Sequence, residues 1–309
     1  MKLLPLLLLA GCSVAEVVEH RYETIADRAG LEERTFTAGP DTLHYSMGGQ
    51  GDPLLLIHGF GGDGLGSWLP QVEDLAAQHT LIIPDLLWFG QSRSEGPATL
   101  EHQVQAMIAI LDHAGVEEAD VLGISYGGFV TLQLVATHPE RAAQVVIVDS
   151  PGGLFGDDDV TAMCARFGVE SPADLFVPDG PEDLRPLIDL CYHDPPWVPD
   201  AALDELYDRL FAQHHDEQRA LLSDLTTRYG AFEDQDWRAL GPWLVIWGEF
   251  DAVFPLEDGR ALAEVLGAEL VVIPDTAHAP CAEEPKVFND AVLRFLAPPI
   301  AAAPAPSSP

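Results

Sequence analysis

The chain has 309 residues, 47 % of them hydrophobic, and a formal net charge of −35 with only two lysines, Lys2 and Lys286. That length and apolar content suit one large α/β domain with an insertion, or two small domains, and argue against a chain that stays unfolded. The charge favours solubility and argues against nucleic-acid binding, and any membrane contact would need an anchor or an apolar patch.

The first residues read as a processing segment. Lys2 precedes the apolar run Leu3 to Leu9, which ends in Leu9-Ala10-Gly11-Cys12. About seven apolar residues cannot span a bilayer, which takes ~20. This segment resembles the lipobox of bacterial lipoproteins. The resemblance implies loss of residues 1–11, a lipid on Cys12 and an exported, membrane-anchored protein, with Ser13 compatible with the outer membrane. The plain alternative is an ordinary signal peptide with a chance cysteine.

Further along, short β-branched runs end at Gly, Pro, Asp or His. They are Leu54 to Ile57, Thr80 to Ile83, Ala119 to Leu122, Val145 to Val148, Trp243 to Trp247 and Leu270 to Ile273. Continuous apolar runs of this length suit strands covered on both faces. Asp41 to Met47 alternates and reads as an earlier, edge-side strand. Between the runs lie helical patterns: one carrying Val104, Met107, Ile108 and Leu111 on a single face, one at Phe129 to Thr137, one at Leu256 to Leu266 and one at Glu284 to Leu296. This alternation predicts a mostly parallel central sheet with helices on both faces.

The alternation stops between residues 151 and 238, which carry helical patches and turn clusters such as Asp194-Pro195-Pro196 but no convincing strand. We read an inserted helical cap there. It divides a core into residues 12–150 and 239–297, followed by a Pro/Ala/Ser tail at 298–309 that reads as disordered. Cys164 and Cys191 fall in the cap, where a disulfide and two free thiols are equally open readings. Cys281 reads as packing, since no metal-ligand spacing surrounds it.

Gly123-Ile124-Ser125-Tyr126-Gly127 sits between a strand and a helix, the context in which G-x-S-x-G forms a nucleophile elbow. A serine needs a base to become a nucleophile. His278 follows the last strand in Asp275-Thr276-Ala277-His278 and occupies the base's slot. His58 reads as structural, and His193, His214 and His215 as cap residues. Asp251, after the run ending at Trp247, is the expected carboxylate partner of His278. Asp149, after Val148, is its rival, and Glu249 reads as a solvent-facing acid. His58-Gly59-Phe60-Gly61-Gly62 follows the strand at Leu54 to Ile57. The Phe60 N–H is the natural partner of the Tyr126 N–H in an oxyanion hole.

Together these residues resemble the α/β-hydrolase family over about residues 35 to 297. The match runs in order through His58-Gly59-Phe60, Asp85-Leu86 with Gly90 and Ser92, Gly123 to Gly128, Asp251 and His278. Pro84-Asp85-Leu86-Leu87 and Val148-Asp149-Ser150-Pro151-Gly152 resemble capped bacterial lipases and esterases. One departure is Trp88, where the family usually has Gly; a bulky residue there would narrow the pocket or cover the cap hinge. Similar haloalkane dehalogenases and epoxide hydrolases use Asp as nucleophile, so Ser125 points to acyl transfer. The resemblance implies a serine hydrolase of carboxylic esters, acting on a small-molecule ester with an apolar group and needing no metal or organic cofactor. C–C bond or amide cleavage on the same triad, and a non-catalytic surface lipoprotein, are the alternatives. Leu154, Phe155, Phe176, Trp197, Tyr207 and Phe211 are the cap residues that could face the site.

Overall fold

The computed structural model describes residues 14–227 and 235–297. Cys12 and the tail at 298–309 lie outside the described residues. One sheet organises the molecule. Its strands are β1 (Glu32–Ala38), β2 (Asp41–Gly49), β3 (Asp52–Ile57), β4 (His79–Pro84), the two-residue β5 (Arg93–Ser94), β6 (Ala119–Ile124), β7 (Ala142–Val148), β8 (Trp243–Gly248) and β9 (Glu269–Ile273). Their spatial order is β1-β2-β4-β3-β6-β7-β8-β9, with β5 on β2. The β1–β2 and β2–β4 pairs are antiparallel. Every neighbouring pair from β4 to β9 is parallel. The first helix is α1 (Val14–Ala29), and α2 (Gly64–Ala76), α3 (Leu100–Ala114) and α4 (Tyr126–Thr137) follow as crossovers.

Five of the six apolar runs are strands with both faces covered. The exception is β9, the outer strand, where Glu269 and Val272 are exposed and Leu270 and Val271 half-buried, so the expectation of two covered faces fails for Leu270 to Ile273. Leu54 and Leu56 of β3 join a core with Trp68 and Val72 of α2. Leu55 and Ile57 point the other way, into a core with Val104 and Met107 of α3 and Val130 of α4. This two-residue alternation of a fully buried strand explains why the runs show no polar face. α4 lies directly behind the elbow and is buried almost all round, so it carries no amphipathic stripe.

Two expectations change at the sheet's edge. Asp41 to Met47 is an inner strand, because β1 covers its outer side. β1 itself escaped notice: its residues are exposed or half-exposed, so it has no apolar run. The helix α1 was also unanticipated; it packs on α2 and reaches the cap.

Between β7 and β8 the described residues form five α-helices and no strand: α5 (Asp157–Phe167), α6 (Pro172–Phe176), α7 (Leu184–Cys191), α8 (Asp200–Leu210) and α9 (His215–Leu225). The chain then re-enters the sheet beside β7. After β8 come α10 (Leu256–Leu266), β9, the single turn α11 (Pro280–Glu283) and α12 (Pro285–Leu296). The parallel strands β3, β6, β7, β8 and β9 all end toward the cap, and the loops leaving those ends carry the candidate site.

Candidate active site

Ser125 sits between the end of β6 and the first residue of α4, with φ 53° and ψ −120°. A non-glycine residue rarely holds a positive φ, and such strain persists only where the surroundings enforce it. The enforcement comes from packing. A Cβ on Gly127 would stand 2.4 Å from the His58 and Ile57 carbonyl oxygens, and one on Gly128 would stand 2.4 Å from the Ser150 Cβ. The elbow glycines therefore let α4 approach β3 and β7 closely, while the serine itself carries the turn. The Ser125 N–H donates to the Val148 carbonyl at 2.9 Å, and the Ser125 carbonyl accepts from Gly128 N–H at 2.9 Å.

Ser125, His278 and Asp251 form one hydrogen-bonded chain. Ser125 Oγ lies 2.8 Å from His278 Nε2, and His278 Nδ1 lies 2.8 Å from Asp251 Oδ2. The other Asp251 oxygen accepts from Val253 N–H at 2.8 Å and Phe254 N–H at 3.1 Å. The carboxylate is thereby fixed in a polar cradle although His278 and Asp251 are both buried. The two loops that bring them together are tied to each other: Phe250 N–H donates to the Thr276 carbonyl at 2.8 Å, and Ala277 N–H donates to Glu283 Oε2 at 2.7 Å. Glu283 also accepts from His193 N–H at 2.8 Å through its other oxygen, so one carboxylate joins the histidine loop to the cap. Glu249 is exposed, as expected of a loop acid, and accepts from Asp275 N–H at 3.3 Å.

The loop after β3 lies against the serine: a Cβ on Gly59 would stand 3.2 Å from the Ser125 Cβ. His58 holds this loop. Its Nδ1 bonds the Gly59 carbonyl at 2.7 Å and its Nε2 accepts from Leu86 N–H at 3.0 Å, which fixes the tautomer with the proton on Nδ1. Complete burial pushes its pKa down and keeps it neutral, consistent with a structural role. Next to it, burial works against the Asp85 charge. Hydrogen bonds from His44, Gln91 N–H and Gly64 N–H outweigh burial and hold its pKa below the usual carboxylate range. Gly90 has φ 54°, and a Cβ there would strike the Asp85 carboxylate at 2.3 Å. The Asp85/Gly90 pattern is thus scaffolding for the loop after β3. Phe60, from that loop, and Tyr126, at the start of α4, both line the space around Ser125.

Two cavities meet at Ser125. The smaller, about 40 Å³, is an apolar chamber between Phe60, Phe129, Phe155, Phe176, Leu222 and Phe254. The larger, about 360 Å³, is lined by His278 together with Tyr22 of α1, Asp63 and Arg209 of α8. Asp63 caps α2 by accepting from Gly66 N–H at 2.6 Å. Its second oxygen forms a short ion pair with Arg209, whose guanidinium lies 5.3 Å from the Tyr22 ring centre. The sequence offered no pattern for this trio, because its members come from three separate elements.

Several expectations are corrected here. Trp88 lines neither cavity. It is buried in the core with φ 67°, its ring 5.9 Å from that of His102, and its indole N–H donates to the Ser94 carbonyl at 3.3 Å. Among the cap residues singled out, Phe155, Phe176 and Phe211 face the cavities. Leu154 and Trp197 are exposed, and Tyr207 instead donates to the Asp179 carbonyl. Cys164 and Cys191 are free thiols, so the disulfide reading fails. Cys281 and Cys191 border the larger cavity, and burial pushes both thiols up to about 12, leaving them un-ionised at neutral pH. His193 is exposed and stacks on Phe250, and neither His214 nor His215 lines either cavity.

Among the described residues, one potential metal-ligand set appears: Asp149, Asp251 and His278 each present a ligand atom within 4.8 Å of the others. Asp251 and His278 already use these atoms on each other and on Ser125, so a cation here would break the hydrogen-bonded chain.

The alpha/beta hydrolase family model matches residues 54–291. A putative carbamate hydrolase, RutD, of Azorhizobium caulinodans is 32 % identical over 263 residues, covering 83 % of this chain and 96 % of its own length. The 2-hydroxymuconate semialdehyde hydrolase of Pseudomonas putida is 31 % identical, covering 81 % and 88 %. Among solved structures, a bacterial membrane phospholipase A superposes with a TM-score of 0.80 at 24 % identity, covering 91 % of each chain. A putative lipase of Acinetobacter baumannii superposes with a TM-score of 0.77 at 22 % identity, covering 90 % and 95 %. With its parallel sheet, its Ser–His–Asp chain and this match over most of its length, the chain belongs to the alpha/beta hydrolase family.

Proposed function

We propose that the protein is a serine hydrolase that cleaves carboxylic esters with a small apolar acyl group. The observation that carries this reading is the unbroken Ser125–His278–Asp251 chain facing an apolar chamber on one side and a wider cavity on the other. Ser125 Oγ attacks the ester carbonyl while His278 Nε2 takes its proton. The oxyanion forms beside the Phe60 and Tyr126 N–H groups. His278 returns the proton to the leaving alcohol, and a water then hydrolyses the acyl-enzyme by the same route. Asp251 keeps the imidazole in its working tautomer and stabilises the imidazolium. The acyl group occupies the chamber, which by its volume holds about three water-sized groups. The alcohol leaves through the larger cavity.

A second reading, C–C bond cleavage, is favoured by Arg209 at the larger cavity, since the semialdehyde hydrolase relatives are named for an acidic substrate. The Arg209 charge is already paired with Asp63, which argues for the ester. A panel of p-nitrophenyl esters, anilides and vinylogous 1,5-diketo acids separates the readings. Turnover of butyrate esters supports the first, and inert esters beside active diketo acids support the second.

We also propose that a lipid on Cys12 holds the protein at a bacterial membrane, with α1 beginning two residues later and Tyr22 of α1 lining the larger cavity. No described helix is long and apolar enough to cross a membrane. Cys12→Ala moves the protein to the soluble fraction under this proposal, and unchanged membrane fractionation contradicts it.

A further inference from the structure

The two cavities at Ser125 are not equivalent, because only one of them holds the proton donor. Among the described residues, His278 lines the larger cavity and not the chamber. The leaving alcohol takes its proton from His278 Nε2, so its oxygen must lie on that side. The acyl side is then the chamber of about 40 Å³, and the alcohol side is the cavity of about 360 Å³. By volume the chamber admits an acyl group of a few carbons, and the cavity admits a much larger alcohol.

The lining of the larger cavity bears on what that alcohol carries. Leu184, Leu187 and Ile188 of α7 stand at i, i+3 and i+4, one face of that helix, and Leu206, Arg209 and Leu210 of α8 repeat the spacing. The cap thus offers two aliphatic stripes with one guanidinium set into the second. Arg209 bonds Asp63 through one terminal nitrogen, and its side chain stays 45 % exposed. That bond uses one of its several N–H donors. The Tyr22 ring lies beside the guanidinium, and a Cβ on Gly66 would stand 2.5 Å from the Tyr22 hydroxyl oxygen. Tyr22 comes from α1, ahead of the residues that the family model matches, so this part of the lining lies outside that match. The charges of Arg209 and Asp63 cancel. The pair still keeps donors on Arg209 and lone pairs on Asp63, and the Tyr22 hydroxyl adds one donor and acceptor sites. Such a set suits a neutral hydroxyl. A carboxylate would compete with Asp63 for Arg209, and an ammonium would compete with Arg209 for Asp63.

We propose that the substrate class is a short-chain ester of a bulky, mainly aliphatic alcohol that carries a second, neutral hydroxyl. The aliphatic stem lies against the α7 and α8 stripes, and the second hydroxyl bonds the Tyr22–Asp63–Arg209 cluster. This rests on the ester reading of Ser125 given above.

Isomeric esters test the orientation in the unmodified protein. Hexyl acetate and ethyl hexanoate share one formula and differ in which side of the ester is long. Hexyl acetate should show a kcat/KM about tenfold higher or more, and a smaller or reversed ratio overturns the inference. Acetates of ω-hydroxyalkyl alcohols from butyl to octyl, each compared with its alkyl counterpart, test the second hydroxyl. In a lining without partners the added hydroxyl lowers kcat/KM at every length. A gain of about threefold at one length is expected, with no gain from the matching ω-carboxyalkyl acetates. A loss at every length, or a larger gain from the carboxylate, overturns the inference. Arg209→Met should turn the gain into a loss, with circular dichroism showing that the variant is folded, and a gain that survives also overturns it. The comparisons on the unmodified protein stand whether or not that variant folds. If p-nitrophenyl butyrate and all these esters are inert, the ester reading itself fails. Turnover of p-nitrophenyl butyrate beside the wrong preferences here defeats this inference alone.

Discussion

Gln218 of α9 donates through one side-chain nitrogen to the Trp88 carbonyl at 3.0 Å and to the Leu210 carbonyl at 2.8 Å. One buried amide thus joins the cap to the loop after β4. The same loop residue holds a left-handed backbone and a fully buried indole. Glycine at position 88 would remove the backbone strain, about 1 kcal/mol, but would empty a large core site. We expect Trp88→Gly to lower stability by about 2–4 kcal/mol in urea unfolding, a net loss despite the easier φ. A gain in stability would show that strain outweighs packing there.

Gly248 ends β8 with no room for a side chain. A Cβ would stand 1.9 Å from the Ala277 carbonyl oxygen, one residue before His278. Gly248→Ala must therefore shift the histidine loop or the β8 end. A misplacement of about 1 Å near the reacting groups costs on the order of a hundredfold in kcat, and this is the expected loss. Steady-state kinetics beside a circular dichroism spectrum distinguish a displaced His278 from a failure to fold.

Asp120, at the start of β6, is buried, and burial raises its pKa to about 6, with Asp52 and Glu118 adding to the rise. A carboxyl whose folded pKa exceeds its unfolded value favours the fold while protonated. That contribution is complete below about pH 4 and is lost as pH rises through about 6. Asp120→Asn keeps an oxygen for the Gln144 N–H and cannot ionise. It should raise stability at pH 7–8 by roughly 1–3 kcal/mol and change little at pH 4. Calorimetric Tm values at the two pH values check this, and an equal gain at both would contradict it.

If the apolar chamber holds the acyl group as proposed, it sets an upper size on that group. Leu222 of α9 forms part of its cap-side wall. Leu222→Ala should shift the preference from butyrate toward octanoate esters, raising the octanoate-to-butyrate ratio of kcat/KM by about tenfold, because one extra pocket methylene is worth roughly 1–3 kcal/mol. An unchanged ratio would place the acyl group in the larger cavity instead.

The candidate catalytic residues were legible because their chemistry is written in short segments. Ser125 is flanked by glycines, Asp251 follows an apolar run buried on both faces, and His278 follows the apolar run of the half-exposed outer strand β9. The rest was hidden for physical reasons. β1 pairs on one side only and needs no apolar run. Arg209, Asp63 and Tyr22 meet from α8, the α2 cap and α1, with no local spacing to announce them. Trp88 was seen to depart from the family pattern, but its direction is set by His102 and Ser94, which are neighbours only in the folded chain. The elbow glycines serve close packing, while the unusual φ falls on Ser125 itself.

The central claim is that Ser125 is an activated nucleophile. Intact-protein mass spectrometry after exposure to a fluorophosphonate, followed by peptide mapping, tests it most directly. The account predicts a single adduct on the peptide containing Ser125, absent in Ser125→Ala and slowed by on the order of a thousandfold or more in His278→Ala. No adduct, or an adduct that persists in Ser125→Ala, would contradict it.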